Sequence, residues 1–167
     1  MSFTTDTKNE LCRLPLGAPC CILAESLGML LYANRFSESG VRLQSDNPAV
    51  RRRACQLLHA AFRVEAQDQG GAVTVTDPEA VESIFASFGY ERRSIALQLN
   101  LALVEEECCR AAFVRGVFLS GGYLSDPGKS YHLELVTSHY NVSRQVMALL
   151  LDMGMAPGFL TRRGNYV

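Results

Sequence analysis

Two segments of this chain repeat one pattern of adjacent cysteines, small residues and a glycine. The segments read CCILAESLGMLLYANRF, which begins at Cys20, and CCRAAFVRGVFLSGGYL, which begins at Cys108. The offset that aligns the two cysteine pairs also aligns the small residues, Ala24 with Ala112 and Gly28 with Gly116. Self-similarity of this kind is typical of a duplicated folding unit. We therefore interpret the chain as two fused copies of one unit.

Further along the chain the alignment continues in a shifted register. NPAVRRRACQLL aligns with YNVSRQVMALLL when the offset grows by four residues, which a longer hairpin in the second copy would explain. We expect three parts: an N-terminal extension at 1–18, a first unit at 19–98 and a second unit at 99–167. The chain is expected to stop inside the last hairpin of the second unit.

Hydrophobic periodicity and turn residues predict the same order of elements in each copy. An apolar repeat of helical spacing covers 19–33, hairpin signals lie at 39–40 and 70–71, and Pro48 and Pro78 open further helices. In the second copy we predict a long helix at 99–120, a hairpin at 123–137 and a helix at 141–153. Antiparallel hairpins with helices on one face predict the α+β class.

The glycines of the repeated segments predict a close contact between helices. Residues four apart lie on one helix face, so the small residues leave a smooth stripe that ends at Gly28 in one copy and at Gly116 in the other. We expect these two stripes to pack against each other. Gly121 and Gly122 follow where the helix meets the next strand, and we expect them to supply a positive φ there.

Composition excludes several classes of protein. The net charge of −1 and the isoelectric point near 6.3 are not those of a protein that holds DNA by bulk electrostatic attraction. No apolar run is long enough to span a membrane, and no secretion signal opens the chain, so we expect a cytoplasmic protein.

The cysteines and histidines predict no metal site and no cofactor. Four of the six cysteines form two adjacent pairs, without the C-x-x-C spacing of a zinc knuckle, so we predict small buried thiols that stay reduced. The histidines, at positions 59, 132 and 139, lack the spacing of a metal trio. SGGYLSDPGKS ends in Lys-Ser but lacks the spacing of a phosphate-binding loop.

The repeated segments resemble known families. A duplicated helix with a packing glycine, followed by a hairpin, resembles the LAGLIDADG homing endonuclease fold, and CCRAAFVRGVFLSGGYLSDPGKSYHLEL is similar to the WhiA family of bacterial regulators. The resemblance implies tandem αββαββα units with pseudo-two-fold symmetry, whose antiparallel sheets form a saddle. It also implies control of sporulation and cell-division genes, a monomer that contains an intramolecular pseudo-dimer, and a C-terminal helix-turn-helix domain that this chain lacks.

The same resemblance argues against nuclease activity. The endonucleases use an acidic residue at the eighth motif position of each copy to bind a divalent metal ion, and Ala33 and Gly121 stand at these positions here. The acids that follow, Glu38 and Asp126, fall in the predicted hairpins. We therefore predict a protein that is not an enzyme.

Strand residues that face away from the helices would meet DNA if the saddle binds a duplex. The candidates are Arg35, Arg42, Lys129 and His132, with Arg162 and Arg163 near the end of the chain. Acidic residues in the same hairpins oppose binding, and the arginines at 51–53 are predicted to form a solvated helix surface. Two functions stay open. The first is a non-catalytic scaffold or interaction domain that contacts a protein partner in the transcription machinery, while the missing domain binds most of the DNA. The second is a direct DNA-binding saddle.

Overall fold

The fold was analysed in a computed structural model, which describes residues 2–91 and 97–167. Residues 92–96, which belong to the expected first unit, lie outside the described residues. The described residues of the first unit form three helices and four strands in the predicted αββαββα order. They are α2 (Pro19–Leu31), β1 (Arg35–Ser37), β2 (Gly40–Gln44), α3 (Pro48–Phe62), β3 (Gln67–Asp68), β4 (Ala72–Val75) and α4 (Pro78–Ser87).

Local sequence explains where these helices begin. The Asn47 side chain accepts a hydrogen bond from Ala49 N at 2.9 Å, and the Asp77 side chain accepts one from Ala80 N at 3.3 Å. A proline follows each cap in the first helical turn, where its missing N–H group is not needed.

The second unit follows the same order up to its last hairpin. Its elements are α5 (Glu107–Gly121), β5 (Gly122–Leu124), β6 (Leu133–Leu135), α6 (Tyr140–Asp152), β7 (Thr161–Arg162) and β8 (Asn165–Tyr166). The predicted long helix at 99–120 is wrong, because a separate 3-10 helix at Leu101–Val104 precedes α5. The prediction that the chain stops inside the last hairpin is also wrong, since Thr161 pairs with Tyr166 and both strands are present.

The sheets show that the two units share one topology. The first sheet has the strand order β1-β2-β4-β3. In the second unit the hairpins β5-β6 and β7-β8 are joined by one bridge, in which Thr137 and Tyr166 exchange hydrogen bonds of 3.0 and 2.8 Å. This bridge gives the corresponding order β5-β6-β8-β7. The predicted α+β class with antiparallel sheets is confirmed.

The N-terminal segment contains a helix that the sequence patterns did not predict. Helix α1 (Phe3–Leu11) lies on the second unit, where Thr4 Oγ1 donates to Leu124 O at 2.8 Å and accepts from Leu124 N at 2.9 Å. Its Lys8 ammonium group lies 5.5 Å from the centre of the Phe118 ring. The segment is thus packed against the fold rather than extended from it.

Helices α2 and α5 meet backbone to backbone at the centre of the molecule. A Cβ atom on Gly28 would lie 2.2 Å from Phe113 O, and a Cβ atom on Gly116 would lie 2.1 Å from Glu25 O. The contact is reciprocal, since Glu25 and Phe113 occupy equivalent places in the two copies. Such reciprocity is the mark of two-fold symmetry. Ala24 and Ala112, at 0% and 1% exposure, complete the two small-residue stripes.

The glycines at the end of α5 have a different cause from the one predicted. Neither Gly121 nor Gly122 has a positive φ; Gly122 is extended, with φ −92° and ψ 145°. Close packing excludes a side chain instead. A Cβ atom on Gly121 would lie 2.6 Å from Val136 O, and one on Gly122 would lie 2.2 Å from the Phe118 ring.

The helix contact predicts an unusual response to alanine. In a free helix, replacing glycine by alanine stabilises by about 1 kcal/mol, but Gly116→Ala places a methyl group inside backbone atoms of α2. We expect Gly116→Ala to lower the free energy of unfolding by about 1–3 kcal/mol, as overpacking does. Denaturant unfolding of the purified chain measures this change.

Gly158→Ala is the matched control, because nothing lies within 4 Å of a Cβ atom at Gly158. The control should change stability by less than about 0.5 kcal/mol. A Gly116→Ala chain that is as stable as the control would contradict the backbone contact.

Candidate functional site

The positions that would hold catalytic acids lie at the C-terminal ends of α2 and α5. Ala33 lies two residues beyond Leu31, the last residue of α2, and is 6% exposed, and Gly121 is the last residue of α5. Tyr32 packs beside Gly121, where its Cδ2 atom would lie 2.9 Å from an added Cβ atom. Burial raises the pKa of the Tyr32 hydroxyl well above its usual range. The helix ends therefore present apolar groups and no carboxylate at either motif position.

Two of the predicted DNA-binding residues form a pair on the outer face of the first sheet. Arg35 on β1 lies directly opposite Arg42 on β2, and both side chains are exposed. The row continues through Thr74 to Gln67 on β4 and β3. Among the residues that the structure describes, neither arginine forms an ion pair. The structure thus brings these two cations together on an exposed face of the first sheet.

The equivalent place in the second sheet has different chemistry. Tyr123 lies opposite Glu134 there, so an aromatic ring and an acid replace the two arginines. Glu134 Oε2 accepts from Arg162 Nη2 at 2.7 Å, and Glu134 Oε1 lies 2.8 Å from His132 Nε2. These hydrogen bonds lower the pKa of Glu134 to about 2, and the bond from Arg162 has the larger effect. Glu134 is therefore bound to two of the groups that were predicted to contact DNA, Arg162 and His132.

Two further predicted DNA contacts, Lys129 and His132, do not lie on strands. Lys129 belongs to the exposed turn before β6, where its backbone N–H donates to Asp126 O at 2.9 Å. His132 precedes the first residue of β6. The placement of Lys129 and His132 on outward strand positions is therefore wrong, because the longer connection in the second unit ends only at Leu133.

A buried ion network joins the two units, and sequence patterns missed it. Glu25 on α2 is fully buried and binds two arginines: Arg53 Nη2 lies 3.0 Å from its carboxylate, and Arg115 Nε of α5 donates to Oε1. Arg53 also donates to Leu14 O at 2.7 Å. An acid in an otherwise apolar helix was the only signal in the sequence.

The prediction that residues 51–53 form a solvated surface is wrong for two of the three arginines. Arg51 and Arg53 are 8% and 1% exposed. Arg51 Nε donates to Asp68 Oδ1 at 3.0 Å, and Arg51 Nη1 donates to Ser45 O at 2.8 Å. Consecutive helix positions point in different directions, so only Arg52 faces solvent.

The two cysteine pairs converge at the opposite end of the helix contact. The sulfur atoms of Cys20, Cys21, Cys108 and Cys109 all lie within 4.8 Å of one another, and the two of the first pair are 4.0 Å apart. The predicted burial is wrong for one thiol of each pair, because Cys20 and Cys108 are exposed while Cys109 is buried. Burial raises the pKa of the Cys109 thiol to about 12.

An apolar groove of about 550 Å³ lies beside the second sheet. It runs between β6 and α6 and is lined by side chains that include Leu135, Val146, Leu150 and Phe159. In the first unit the corresponding place is filled by α4, which packs on α3 and β2. Among the residues that the structure describes, no helix follows β8 to fill the groove in the same way.

Comparison with known proteins connects this architecture to one family. Residues 110–167 match the family described as the WhiA LAGLIDADG-like domain. The match begins within α5 and extends to the end of the chain, so it covers Gly116 and both hairpins of the second unit. Residues 110–167 therefore match a WhiA LAGLIDADG-like domain. The resemblance noted from the repeated segments is confirmed.

Curated relatives extend the similarity to the whole chain. Proteins named "Probable cell division protein WhiA" from Ruminiclostridium cellulolyticum and Alkaliphilus oremlandii are each 30% identical to it, and one from Alkaliphilus metalliredigens is 27% identical. All three alignments cover 100% of this chain and 58–59% of the relative. The chain therefore spans less than two thirds of the length of these WhiA proteins.

Solved structures support the same fold. The crystal structure of the N-terminal LAGLIDADG domain of DUF199/WhiA matches with a TM-score of 0.74 at 18% identity, over 99% of this chain and 81% of that one. Full-length DUF199/WhiA from Thermatoga maritima matches with a TM-score of 0.73 at 19% identity, over 99% of this chain and 56% of that one. Within residues 2–91 and 97–167, no helix is both long enough and apolar enough to cross a membrane.

The buried network predicts a large loss of stability when its acid is neutralised. Glu25→Gln leaves the Arg53 and Arg115 guanidinium groups without their shared carboxylate. We expect the free energy of unfolding to fall by about 3–5 kcal/mol, the usual cost of leaving a buried charge without its partner. Denaturant unfolding measures this loss. Glu38→Gln, on an exposed hairpin residue, is the control and should cost less than about 0.5 kcal/mol. Equal stabilities of the two variants would contradict the network.

The second sheet predicts a pH effect centred on Glu134. Because its pKa is lowered in the folded protein, the pair with Arg162 stabilises the fold above the ordinary carboxyl pKa, and this contribution is lost as the pH falls towards 2. We expect Arg162→Ala to raise the pKa of Glu134 towards its ordinary value, as measured by carbon-13 NMR titration of the carboxyl group. Arg163→Gln should leave it low. A Glu134 that titrates at the ordinary value in the unchanged protein would contradict this assignment.

Proposed function

We propose that this chain is the non-catalytic N-terminal domain of a WhiA-like bacterial transcription regulator, in which it serves as a scaffold or interaction domain. The observation that carries the proposal is the chemistry at the ends of α2 and α5. Metal-dependent cleavage of DNA requires hard oxygen ligands next to the phosphate. Ala33 and Gly121 supply none.

Packing also argues against a neighbouring residue supplying a metal-binding carboxylate in place of the one that Gly121 lacks. The space around Gly121 is already filled by Val136 O and the Tyr32 ring. Among the described residues, the only cluster of three or more potential metal ligands is the cysteine cluster, and it lies at the other end of the helices. The fold of a nuclease is kept here without the groups that perform its reaction.

The charge distribution favours weak DNA binding by this domain. Within the described part of the chain, only the first sheet presents an unpaired cationic pair, Arg35 and Arg42, while the second presents Glu134 bound to Arg162. Affinity for DNA grows with the number of phosphates that a protein neutralises, and the net charge of −1 adds no general attraction. DNA binding by the longer protein would then depend mainly on residues outside this chain.

The alternative function is a direct DNA-binding saddle, and one observation favours it. Arg35 and Arg42 are exposed, adjacent and free of acidic partners among the described residues. Like charges placed directly opposite each other destabilise a sheet, so the pair has a cost to the fold that a bound phosphate would relieve.

A binding and cleavage experiment separates these functions. Fluorescence anisotropy of a labelled duplex is measured against the 167-residue chain at low and at physiological salt, and the same duplex is incubated with Mg²⁺ and Mn²⁺. We expect no cleavage and a Kd weaker than about 1 µM at physiological salt, which is the range of non-specific binding. The double charge reversal Arg35→Glu/Arg42→Glu should change this weak binding little more than a control reversal at Arg52.

Submicromolar binding that weakens steeply with salt, and that the reversal at Arg35 and Arg42 abolishes while the Arg52 control does not, would establish the saddle instead. Metal-dependent cleavage would overturn both proposals. The relatives are named as cell division proteins, and we infer that the longer protein regulates genes of cell division and sporulation. We also infer that it acts in the reducing cytoplasm.

A further inference from the structure

We propose that Cys20, Cys21, Cys108 and Cys109 form a tetrathiolate site for one Zn²⁺ ion, which clamps the N-terminal ends of α2 and α5. The proposal is independent of the function proposed above. Each helix contributes an adjacent pair from its first turn, after Pro19 in α2 and after Glu107 in α5. Neither pair is a recognisable metal motif by its spacing, and only the helix contact brings the four sulfur atoms together.

The size of the cluster fits a single ion. Tetrahedral zinc with bonds of about 2.3 Å to sulfur requires sulfur atoms about 3.8 Å apart. Here the four atoms lie within 4.8 Å of one another, and Cys20 and Cys21 are 4.0 Å apart. Small rotations of the side chains close the remaining gap. An iron–sulfur cluster would need a wider arrangement, because its cysteines bind different iron atoms.

The arrangement of the thiols follows the symmetry of the two units. Cys20 and Cys108 occupy equivalent positions in the two copies, as do Cys21 and Cys109. Each helix thus provides two of four sulfur atoms that all lie within 4.8 Å of one another, as the ligands of a single tetrahedral ion must. Exposure of Cys20 and Cys108 gives an ion a path into the site.

The helix ends are suited to hold negative charge. Four thiolates around Zn²⁺ carry a net charge of −2, and the N-terminal end of each helix acts as about half a positive charge. The residues that precede the two helices, Ala18 and Glu106, make no side-chain cap, so first-turn N–H groups lack the usual side-chain acceptor. Thiolates at these ends would supply negative charge where the helices lack it. Binding displaces a proton from each thiol that is not already ionised.

Metal content and cobalt spectroscopy test the site. The chain is purified under reducing conditions, its zinc content is measured by mass spectrometry, and the metal-free chain is titrated with Co²⁺ and then with Zn²⁺. We expect one ion per chain, with the intense thiolate-to-cobalt charge-transfer absorption and the strong visible bands of tetrahedral cobalt. Zinc should displace the cobalt and protect four of the six cysteines from alkylation.

Matched variants identify the ligands. Cys20→Ser/Cys108→Ser removes one exposed ligand from each helix. It should weaken Zn²⁺ binding by at least about 100-fold, because the loss of a single residue that only supports a ligand can already weaken metal binding that much. Cys12→Ser/Cys55→Ser leaves the cluster intact and should bind Zn²⁺ as the unchanged chain does. Circular dichroism of the metal-free chains establishes that both variants fold.

Three results would overturn the proposal. The first is a folded, reduced chain that gives no thiolate-to-cobalt absorption. The second is metal binding that persists in the Cys20→Ser/Cys108→Ser chain and is lost in the Cys12→Ser/Cys55→Ser chain. The third is a disulfide within the cluster of the chain purified under reducing conditions. It would show as a mass lower by two hydrogen atoms and as two cluster cysteines that resist alkylation until excess reductant is added.

Discussion

The backbone contact between α2 and α5 determines what the rest of the molecule can do. At Gly28 and Gly116 the helices approach until no side chain fits between them, and the approximate two-fold axis passes through this contact. Any residue near the axis therefore meets its own counterpart from the other copy. The cysteine pairs meet at one end of the helices, and at the opposite end Gly121 packs beside Tyr32, the residue before Ala33. A substitution in one copy changes only half of each such site.

The fold was predictable from sequence to the extent that it depends on short-range signals. Glycines four residues after alanines, a proline after Asn47 or Asp77 and the glycine hairpins each act within a few positions, and the second copy repeats the alanine–glycine spacing. The break before α5 was missed because residues 99–120 contain no proline or glycine before Gly116 to end a helix. Here the chain packs as a 3-10 turn with Val104 buried instead, an outcome set by the tertiary fold.

The candidate sites were less predictable, because each depends on residues from separate elements. Sequence rules for zinc sites describe ligand spacing within one segment, whereas the four cysteines come from two helices far apart in the chain. Arg51 and Arg53 looked like surface residues because periodicity identifies a helix face but not the acid that faces it. The position of Glu25 opposite both Arg53 and Arg115 required the packing of three helices. In contrast, the absence of acids at Ala33 and Gly121 needed only an alignment of two motifs.

The two ends of the helix pair are thus under different constraints. At the C-terminal end, an acid in place of Gly121 would lie against the Tyr32 ring and the Val136 carbonyl oxygen, where an uncompensated charge costs several kcal/mol. At the N-terminal end, the exposed thiols of Cys20 and Cys108 and the two helix dipoles favour negative charge. An ion bound only by the folded chain stabilises it by mass action, and it would do so at the contact that holds the two units together. An ion at the cysteine cluster would in this way hold the two halves of the duplicated fold together.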